Sequence, residues 1–274
     1  MIFRYCMETH IKRDNYVKIE NGDSMDLLKE LSKYPVFNME TVESLTGNLK
    51  TAYSAVRRYM KKGYVVKVRN NIYSPVDLSS GLILASKYQI ACALREDAYL
   101  SYHSALEYHG LSNQVFNEVY VSSSRRFNHF EFDGIFYKYV APKINQGVIF
   151  ATNTKNIRLT DIERTIIDSI YQLNKITGYE ELRNAIEASS YLNEEKLLVY
   201  LEAYNIQALY QKSGYIFEKY KNHFDLTDKF FEACKSKIKH GVVYLVDDLS
   251  DTKFNKTWQV MEPITTYNQG DDIV

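Results

Sequence analysis

The fold of the N-terminal region is decided by residues 49–63, which read LKTAYSAVRRYMKKG. This stretch predicts a helix from about Leu49 to Lys62, because Gly63 stands where helices commonly end in the left-handed conformation. Helical spacing divides the stretch into two faces. The inward arc is expected to carry Leu49, Ala52, Val56, Tyr59 and Met60. The outer arc is expected to carry Lys50, Thr51, Ser54, Arg57, Arg58 and Lys61.

Two shorter helices are predicted before this one, and a hairpin after it. The first begins at Ser24 and ends before Pro35, and the second covers residues 39–45 and is capped by Asn38. The β-prone runs 64–68 and 72–75 are joined by Arg69-Asn70-Asn71, and asparagine tolerates the positive φ of a tight turn. This order of elements is that of a winged helix-turn-helix: a helix, a short helix, a tight turn, a longer helix and a hairpin.

The sequence therefore predicts an α/β (α+β) protein in three parts. Residues 1–23 are polar and are expected to form an N-terminal arm, and residues 24–78 form the winged helix-turn-helix. Residues 79–274 are expected to form a larger mixed α/β domain with a helical distal half.

Local signals place several elements in the larger domain. Asp133-Gly134 is a candidate hairpin turn between two alternating runs. Thr160, followed three residues later by Glu163, is a capping-box signature for a helix that continues to about Leu173. Residues 179–239 are helical in pattern, with breaks expected near 189–193, Gly214 and 224–227.

The charge distribution is uneven although the totals are equal. The chain has 34 basic and 34 acidic side chains, a net charge of zero, which taken alone argues against a nucleic-acid binder. Residues 47–75 hold seven basic side chains and no acidic one. Subtracting those seven from 34 leaves 27 basic against 34 acidic side chains elsewhere, a net charge of −7. The predicted winged helix is thus a cationic module on an anionic body.

This asymmetry favours binding of double-stranded operator DNA, because an ordinary solvated helix mixes charge signs for i,i+4 pairs. The long helix would enter the major groove with its early residues at base edges. The groove contacts are predicted to be Lys50, Thr51, Ser54, Arg57 and Arg58. The phosphate and wing contacts are predicted to be Lys61, Lys62, Lys67, Arg69 and Asn70. Operators are usually read by two copies, so a homodimer on DNA is expected.

Other polar clusters have simpler structural explanations. His103 and His109 fall on different faces of one helix, so they are expected to pack and not to share a metal. Helix capping and an i,i+4 pair explain a second group, which consists of Asp161, Glu163, Arg164 and Asp168. A polar hairpin face explains Glu131, Asp133 and Lys138, and a solvent loop explains residues 122–126.

Several functional classes lack their sequence signals. There is no phosphate-binding glycine loop, no dinucleotide-binding fingerprint and no serine-hydrolase elbow, so neither enzymatic activity nor a cofactor is expected. The three cysteines, Cys6, Cys92 and Cys234, match no zinc or disulfide framework. With no signal peptide and no membrane-length apolar run, a cytoplasmic location is expected.

Three stretches together resemble the AbiEi-type antitoxin and transcriptional regulator family of bacterial abortive-infection, or type IV toxin–antitoxin, systems. They are VRRYMKKGYV (56–65) with RNNIY (69–73), YLSYHSALEYHGL (99–111) followed by EVYV (118–121), and RLTDIERTIID (158–168). In the wing turn, asparagines stand where the family usually has a glycine. The likeness covers about Ser24 to the end, and beyond about Tyr191 it lies only in the run of helices.

The resemblance implies a protein of two functions. The winged helix would bind an operator and repress its own operon. The C-terminal domain would neutralise a cognate nucleotidyltransferase-like toxin encoded alongside, without needing a stable complex. No catalytic residues carry over, because the family is not defined by any.

Two other functions remain open from the sequence. The C-terminal domain could be a metal-dependent nuclease delivered by the winged helix, with Asp133 as its testable residue. The protein could instead be a pure protein-interaction module whose basic face docks an acidic partner.

Overall fold

The computed structural model describes residues 24–152, 154, 156–246 and 252–264, so the predicted N-terminal arm lies outside the described residues. The chain divides into two compact units, Met1–Ala93 (unit 1) and Leu94–Val274 (unit 2). The fold is mixed α/β, with ten α-helices and three sheets among the described residues.

Unit 1 consists of helices and one hairpin. Its helices are α1 (Ser24–Leu31), α2 (Met39–Thr46), α3 (Leu49–Lys61) and α4 (Lys87–Ala93), and its strands are β1 (Val65–Arg69) and β2 (Ile72–Pro75). The first three helices and the hairpin share one apolar core, and Leu31, Val42, Ala52 and Tyr59 are among its most buried members.

The connection between α2 and α3 is short because both helix ends are capped locally. Gly47 follows α2 with φ 72°, a left-handed conformation that glycine adopts without a steric penalty. Asn48 follows at once and caps α3, its side chain accepting a hydrogen bond from the backbone N–H of Thr51 at 3.1 Å. Asn38 caps α2 in the same way, as the sequence predicted.

The chain does not leave unit 1 directly after the hairpin. Val76 forms an antiparallel bridge with Ile83, and the N–H of Leu84 donates to the carbonyl of Pro75 at 3.0 Å. The segment after β2 therefore folds back onto the hairpin. The contact boundary lies after Ala93, later than the boundary after residue 78 that the sequence suggested.

Unit 2 is a six-stranded sheet followed by a helical half and a small three-stranded sheet. The strands of the large sheet are β3 (Tyr99–Leu100), β4 (Glu118–Ser122), β5 (Phe130–Phe132), β6 (Ile135–Val140), β7 (Val148–Phe150) and β8 (Arg158–Thr160). Their order is β5-β6-β4-β3-β8-β7. The β4–β6 and β3–β8 pairs are parallel and the others antiparallel. The predicted Asp133-Gly134 turn joins β5 to β6, both residues having positive φ.

The helices of unit 2 surround its largest apolar core. They are α5 (His103–Tyr108), α6 (Ile162–Tyr171), α7 (Tyr179–Ala188), α8 (Glu194–Tyr204), α9 (Gln207–Lys219) and α10 (Asp228–Ser236), with a short 3-10 helix at Leu173–Lys175. The small sheet is formed by β9 (Val243–Tyr244), β10 (Thr252–Asn255) and β11 (Val260–Pro263).

Two local predictions in this unit are wrong. The capping box at Thr160 and Glu163 does not form, because Asp161 caps α6 by accepting from the N–H of Arg164 at 2.8 Å. The predicted break near Gly214 is also absent, since α9 continues through it. A Cβ at position 214 would overlap the fully buried ring of Trp258, so this glycine serves close packing.

A buried ion pair lies at the start of the helical half. Arg164 and Asp168 are each 1% exposed, and Nε of Arg164 lies 2.6 Å from Oδ1 of Asp168. The guanidinium also donates to the carbonyl of Gln146, and the hydroxyl of Tyr204 donates to Asp168. The predicted i,i+4 pair is therefore confirmed, and it joins α6 to α8 and to the segment before β7.

Replacing Asp168 with asparagine should destabilise unit 2 by about 3–5 kcal/mol, because the Arg164 charge would remain buried without a carboxylate. The loss can be measured as a change in the free energy of unfolding, followed by the fluorescence of Trp258, the only tryptophan. Asp228→Asn is the matched control, since the Lys221–Asp228 pair is exposed. Equal losses in the two variants would contradict the structural role of the buried pair.

Candidate nucleic-acid interface

Helix α3 buries one narrow face and exposes the rest. Its buried residues are Ala52, Ala55, Val56 and Tyr59. The prediction that Leu49 and Met60 point inward is wrong, because they are 44% and 39% exposed. The buried face is centred between Ala52 and Tyr59, which leaves positions 49 and 60 at its edge.

Nearly all the residues predicted to contact DNA are exposed. Arg69 is half-buried, and the exposed residues are Lys50, Thr51, Ser54, Arg57, Arg58, Lys61, Lys62, Lys67 and Asn70. Those on α3 lie on one helix, and Lys67, Arg69 and Asn70 lie on the hairpin that follows it in the same unit.

Two of the predicted polar contacts on α3 are already engaged in the helix. The hydroxyl of Ser54 donates to the carbonyl of Lys50 at 2.9 Å, and the hydroxyl of Thr51 lies 3.5 Å from Oδ1 of Asn48. These hydroxyls can still accept hydrogen bonds, because each oxygen has two lone pairs. Their protons, however, have partners within the helix.

The cations of α3 differ in how they are held. Arg58 lies over the ring of Tyr59 with 5.4 Å between the guanidinium carbon and the ring centroid, and Lys62 lies 5.8 Å from the centroid of Tyr64. In the part of the chain that the structure describes, Lys50, Arg57 and Lys61 form no ion pair. Because α3 contains no acidic residue, every charged side chain on its outward face is positive.

The hairpin is tied to the start of α2 through its turn. Strand β1 pairs with β2 up to Arg69 opposite Ile72, which leaves Asn70 and Asn71 as the turn. Asn71 has φ 60°, and its Oδ1 accepts a hydrogen bond from the N–H of Met39 at 3.0 Å. This asparagine therefore adopts the left-handed conformation expected in the turn and satisfies an N–H in the first turn of α2.

A second contact joins the hairpin to the residues before α2. Phe37 and Tyr73 exchange two backbone hydrogen bonds of 2.9 Å, which forms an isolated antiparallel bridge next to β2. Their rings stack with centroids 5.8 Å apart. The hairpin is thus attached by backbone and side chains to the segment that leads into α2.

Tyr53 is an exposed residue of α3 that was not among the predicted contacts. This residue is 56% exposed and lies four residues after Leu49 and four before Arg57. Its helical position alone places it on the outer side of α3. That spacing is the signal that could have identified it.

The histidines and acidic residues that the sequence analysis grouped in unit 2 form hydrogen bonds and packing contacts within that unit. Nε2 of His109 lies 2.8 Å from the carbonyl oxygen of Thr160, and burial lowers the pKa of this histidine. His103 is buried, with its ring against Phe116. Asp161 accepts hydrogen bonds from Lys196 and Tyr200 at 3.0 and 2.7 Å.

The residues of the predicted polar hairpin face lie on β5, on β6 and in the turn between them. Asp133 lies in the β5–β6 turn, and Lys138 forms an ion pair with Glu118 on the neighbouring strand. Among the described residues, no group of three or more histidine, cysteine, aspartate or glutamate side chains could hold a metal ion. None of the helices in these described ranges combines the length and the hydropathy that a bilayer span requires.

Comparison with known proteins supports the fold and not a function. No protein-family model matches the sequence. None of the curated proteins matches it either. The fold is similar to the crystal structure of the RV2827C protein from Mycobacterium tuberculosis, with a TM-score of 0.62 and 13% sequence identity. The similarity covers 87% of this chain and 90% of that one. At this identity the likeness shows a shared fold alone.

Replacing Asn71 with alanine should destabilise unit 1 by about 1–3 kcal/mol, because the hydrogen bond to the N–H of Met39 is lost and alanine adopts the left-handed conformation less readily than asparagine. The loss of stability can be measured by amide hydrogen exchange of residues 39–46, which should be faster in Asn71→Ala than in wild type. Asn70→Ala is the control, since that exposed neighbour lacks a positive φ. Unchanged protection of α2 in Asn71→Ala would contradict the proposed link.

Proposed function

We propose that unit 1 is a winged helix-turn-helix that binds double-stranded DNA and that the protein represses transcription of its own operon. The observation that carries this proposal is the one-sided cationic surface of α3. Lys50, Arg57 and Lys61 project from a helix without acidic residues, and none of them pairs with a carboxylate in the described part of the chain.

The arrangement of unit 1 supports this assignment. Only Gly47 and Asn48 separate α2 from α3, and a short turn that contains glycine is typical of a helix-turn-helix. A hairpin follows α3, and the Phe37–Tyr73 bridge adds a third, minimal strand to it. A helix of 13 residues is about 20 Å long, and the major groove, roughly 12 Å wide, admits an α-helix.

The charges suit a polyanionic groove. Residues near the start of α3 would reach base edges, while Lys61 and Lys62 at its end and Lys67 on β1 would lie near phosphates. Each phosphate neutralised releases counterions, so affinity should fall steeply with salt. Binding as a homodimer to a two-fold symmetric site would complete the recognition. We propose that the protein acts in the cytoplasm and without catalytic activity.

Replacing Arg57 and Arg58 together with alanine should abolish gel retardation of the DNA upstream of the protein's own reading frame. The fold should survive, because both side chains are exposed. The matched control is Arg125→Ala with Arg126→Ala, which removes the same charge from an exposed turn of unit 2. Retained binding by the folded Arg57/Arg58 variant would reject the assigned surface. Binding only to an acidic protein would favour the interaction-module alternative.

We further propose that unit 2 neutralises a nucleotidyltransferase-like toxin, as the resemblance to AbiEi-type antitoxins implies. Two of the three similar stretches are adjacent in the large sheet, since Leu100 of β3 pairs with Leu159 of β8. The helix that follows β8 carries Arg164 and Asp168, which are buried. These four residues have structural contacts, and the proposal of neutralisation depends on the sequence likeness.

A nucleotidyltransferase-like protein encoded beside this gene should arrest growth when it is expressed alone. Co-expression of the present protein should restore growth. The Arg57/Arg58 double alanine variant should protect equally, because neutralisation is assigned to unit 2. The destabilised Asp168→Asn variant should protect less in proportion to its lost folded fraction. Protection that requires Arg57 and Arg58 would mean that repression alone accounts for the effect.

A further inference from the structure

We propose that Leu49 and Tyr53 form an apolar reading edge on α3 that contacts thymine methyl groups in the major groove. This inference rests on the proposed DNA binding and deepens it, because it names two residues that select the sequence. Neither residue was among the predicted DNA contacts.

The edge is a row of exposed apolar side chains along one side of α3. Leu49, Tyr53 and Met60 are 44%, 56% and 39% exposed. At about 100° per residue, positions 53 and 60 lie within roughly 40° of position 49 around the helix axis. Single exposed apolar residues are ordinary on protein surfaces, but three aligned on one short helix are not scattered.

This row lies between the buried face of α3 and the exposed basic residues of the same helix. On one side are Val56 and Ala52, which pack into the core of unit 1. On the other side are Lys50 and Arg57, for which no carboxylate partner exists among the described residues. An occupant of this edge must therefore lie beside a strongly positive surface, which favours a polyanion with apolar groups over a purely apolar partner.

The major groove of DNA provides that combination of groups. Thymine presents its C5-methyl there, and apolar side chains contact it, while phosphates line both sides of the groove. Leu49 is the first residue of α3, the end of a recognition helix that lies at base edges. Leu49 and Tyr53 are about 6 Å apart along the axis, which corresponds to roughly two base-pair steps.

Met60 provides an internal control on the same edge. It lies in the last turn of α3, which also contains Arg58 and Lys61 and where the helix is expected to approach phosphates and not bases. The proposal therefore assigns methyl recognition to Leu49 and Tyr53 and excludes Met60, although all three side chains are exposed and apolar.

The test uses the full-length protein and a duplex that it selects from a random-sequence library. Each thymine of that duplex is replaced in turn by deoxyuridine, which lacks only the methyl group, and affinity is measured by fluorescence anisotropy. Wild type should bind about fourfold more weakly at one or two positions, the loss that corresponds to roughly 0.8 kcal/mol for one buried methyl-sized group.

The variants assign the effect to side chains. Leu49→Ser and Tyr53→Ser should each bind the thymine and deoxyuridine duplexes equally at one of those positions. Met60→Ser should keep the wild-type discrimination. Arg57→Ala should weaken binding to both duplexes by the same factor, because it removes a charge contact and no methyl contact.

The outcomes separate this inference from the proposed function. If no duplex is selected and none binds, the DNA-binding proposal fails and this inference fails with it. If a duplex binds tightly but no deoxyuridine substitution weakens binding, only the reading edge is overturned. Self-association that Tyr53→Ser abolishes, without any deoxyuridine effect, would instead assign the edge to contact between copies of the chain.

Discussion

The buried guanidinium of Arg164 is the constraint on which the second unit depends. A charge with 1% exposure must have its donors satisfied, because an unpaired buried charge is strongly destabilising. Its partners, Asp168 and the carbonyl of Gln146, come from α6 and from the chain before β7. The hydroxyl of Tyr204 in α8 donates a further hydrogen bond to Asp168. Three segments distant in sequence are therefore brought to one point, where the large sheet meets the helical half.

In unit 1, helix α3 packs against the core through a narrow face. Only Ala52, Ala55, Val56 and Tyr59 of α3 are buried, so most of the helix is available to a ligand. The hairpin is secured elsewhere, by Asn71 at the start of α2 and by the bridge to Phe37. In this way the surface of α3 stays free of the contacts that stabilise the unit.

The two units differ in where their charged and polar side chains lie, and this difference is relevant to the proposed function. Structural polar groups are concentrated in buried clusters of unit 2, and the charges of α3 are exposed and of one sign. A binding surface for DNA needs charges without intramolecular partners, since counterion release depends on cations that reach phosphates. The apolar edge beside those cations adds groups that can distinguish bases, which the cations alone do not do.

Much of the fold was predictable from local sequence. The Asp133-Gly134 turn, the cap at Asn38 and the Arg164–Asp168 pair each depend on residues within a few positions of one another. Predictions failed where a distant element intervened. Gly214 looked like a helix break, but it makes room for Trp258, a residue of the small sheet region. Strand β3 has two residues, too few to produce a periodic pattern, and its pairing with β4 and β8 defines it.

For the candidate interface, the sequence by itself determined the charge sign, the helix and the turn, because these follow from composition and short-range spacing. Only the tertiary structure decided which apolar residues of α3 are exposed. Leu49 and Met60 have inward-compatible spacing, yet the elements packed against α3 cover only a narrow face centred on Ala52 and Tyr59. The width of a buried face depends on its neighbours in space, and periodicity along one helix contains no information about them.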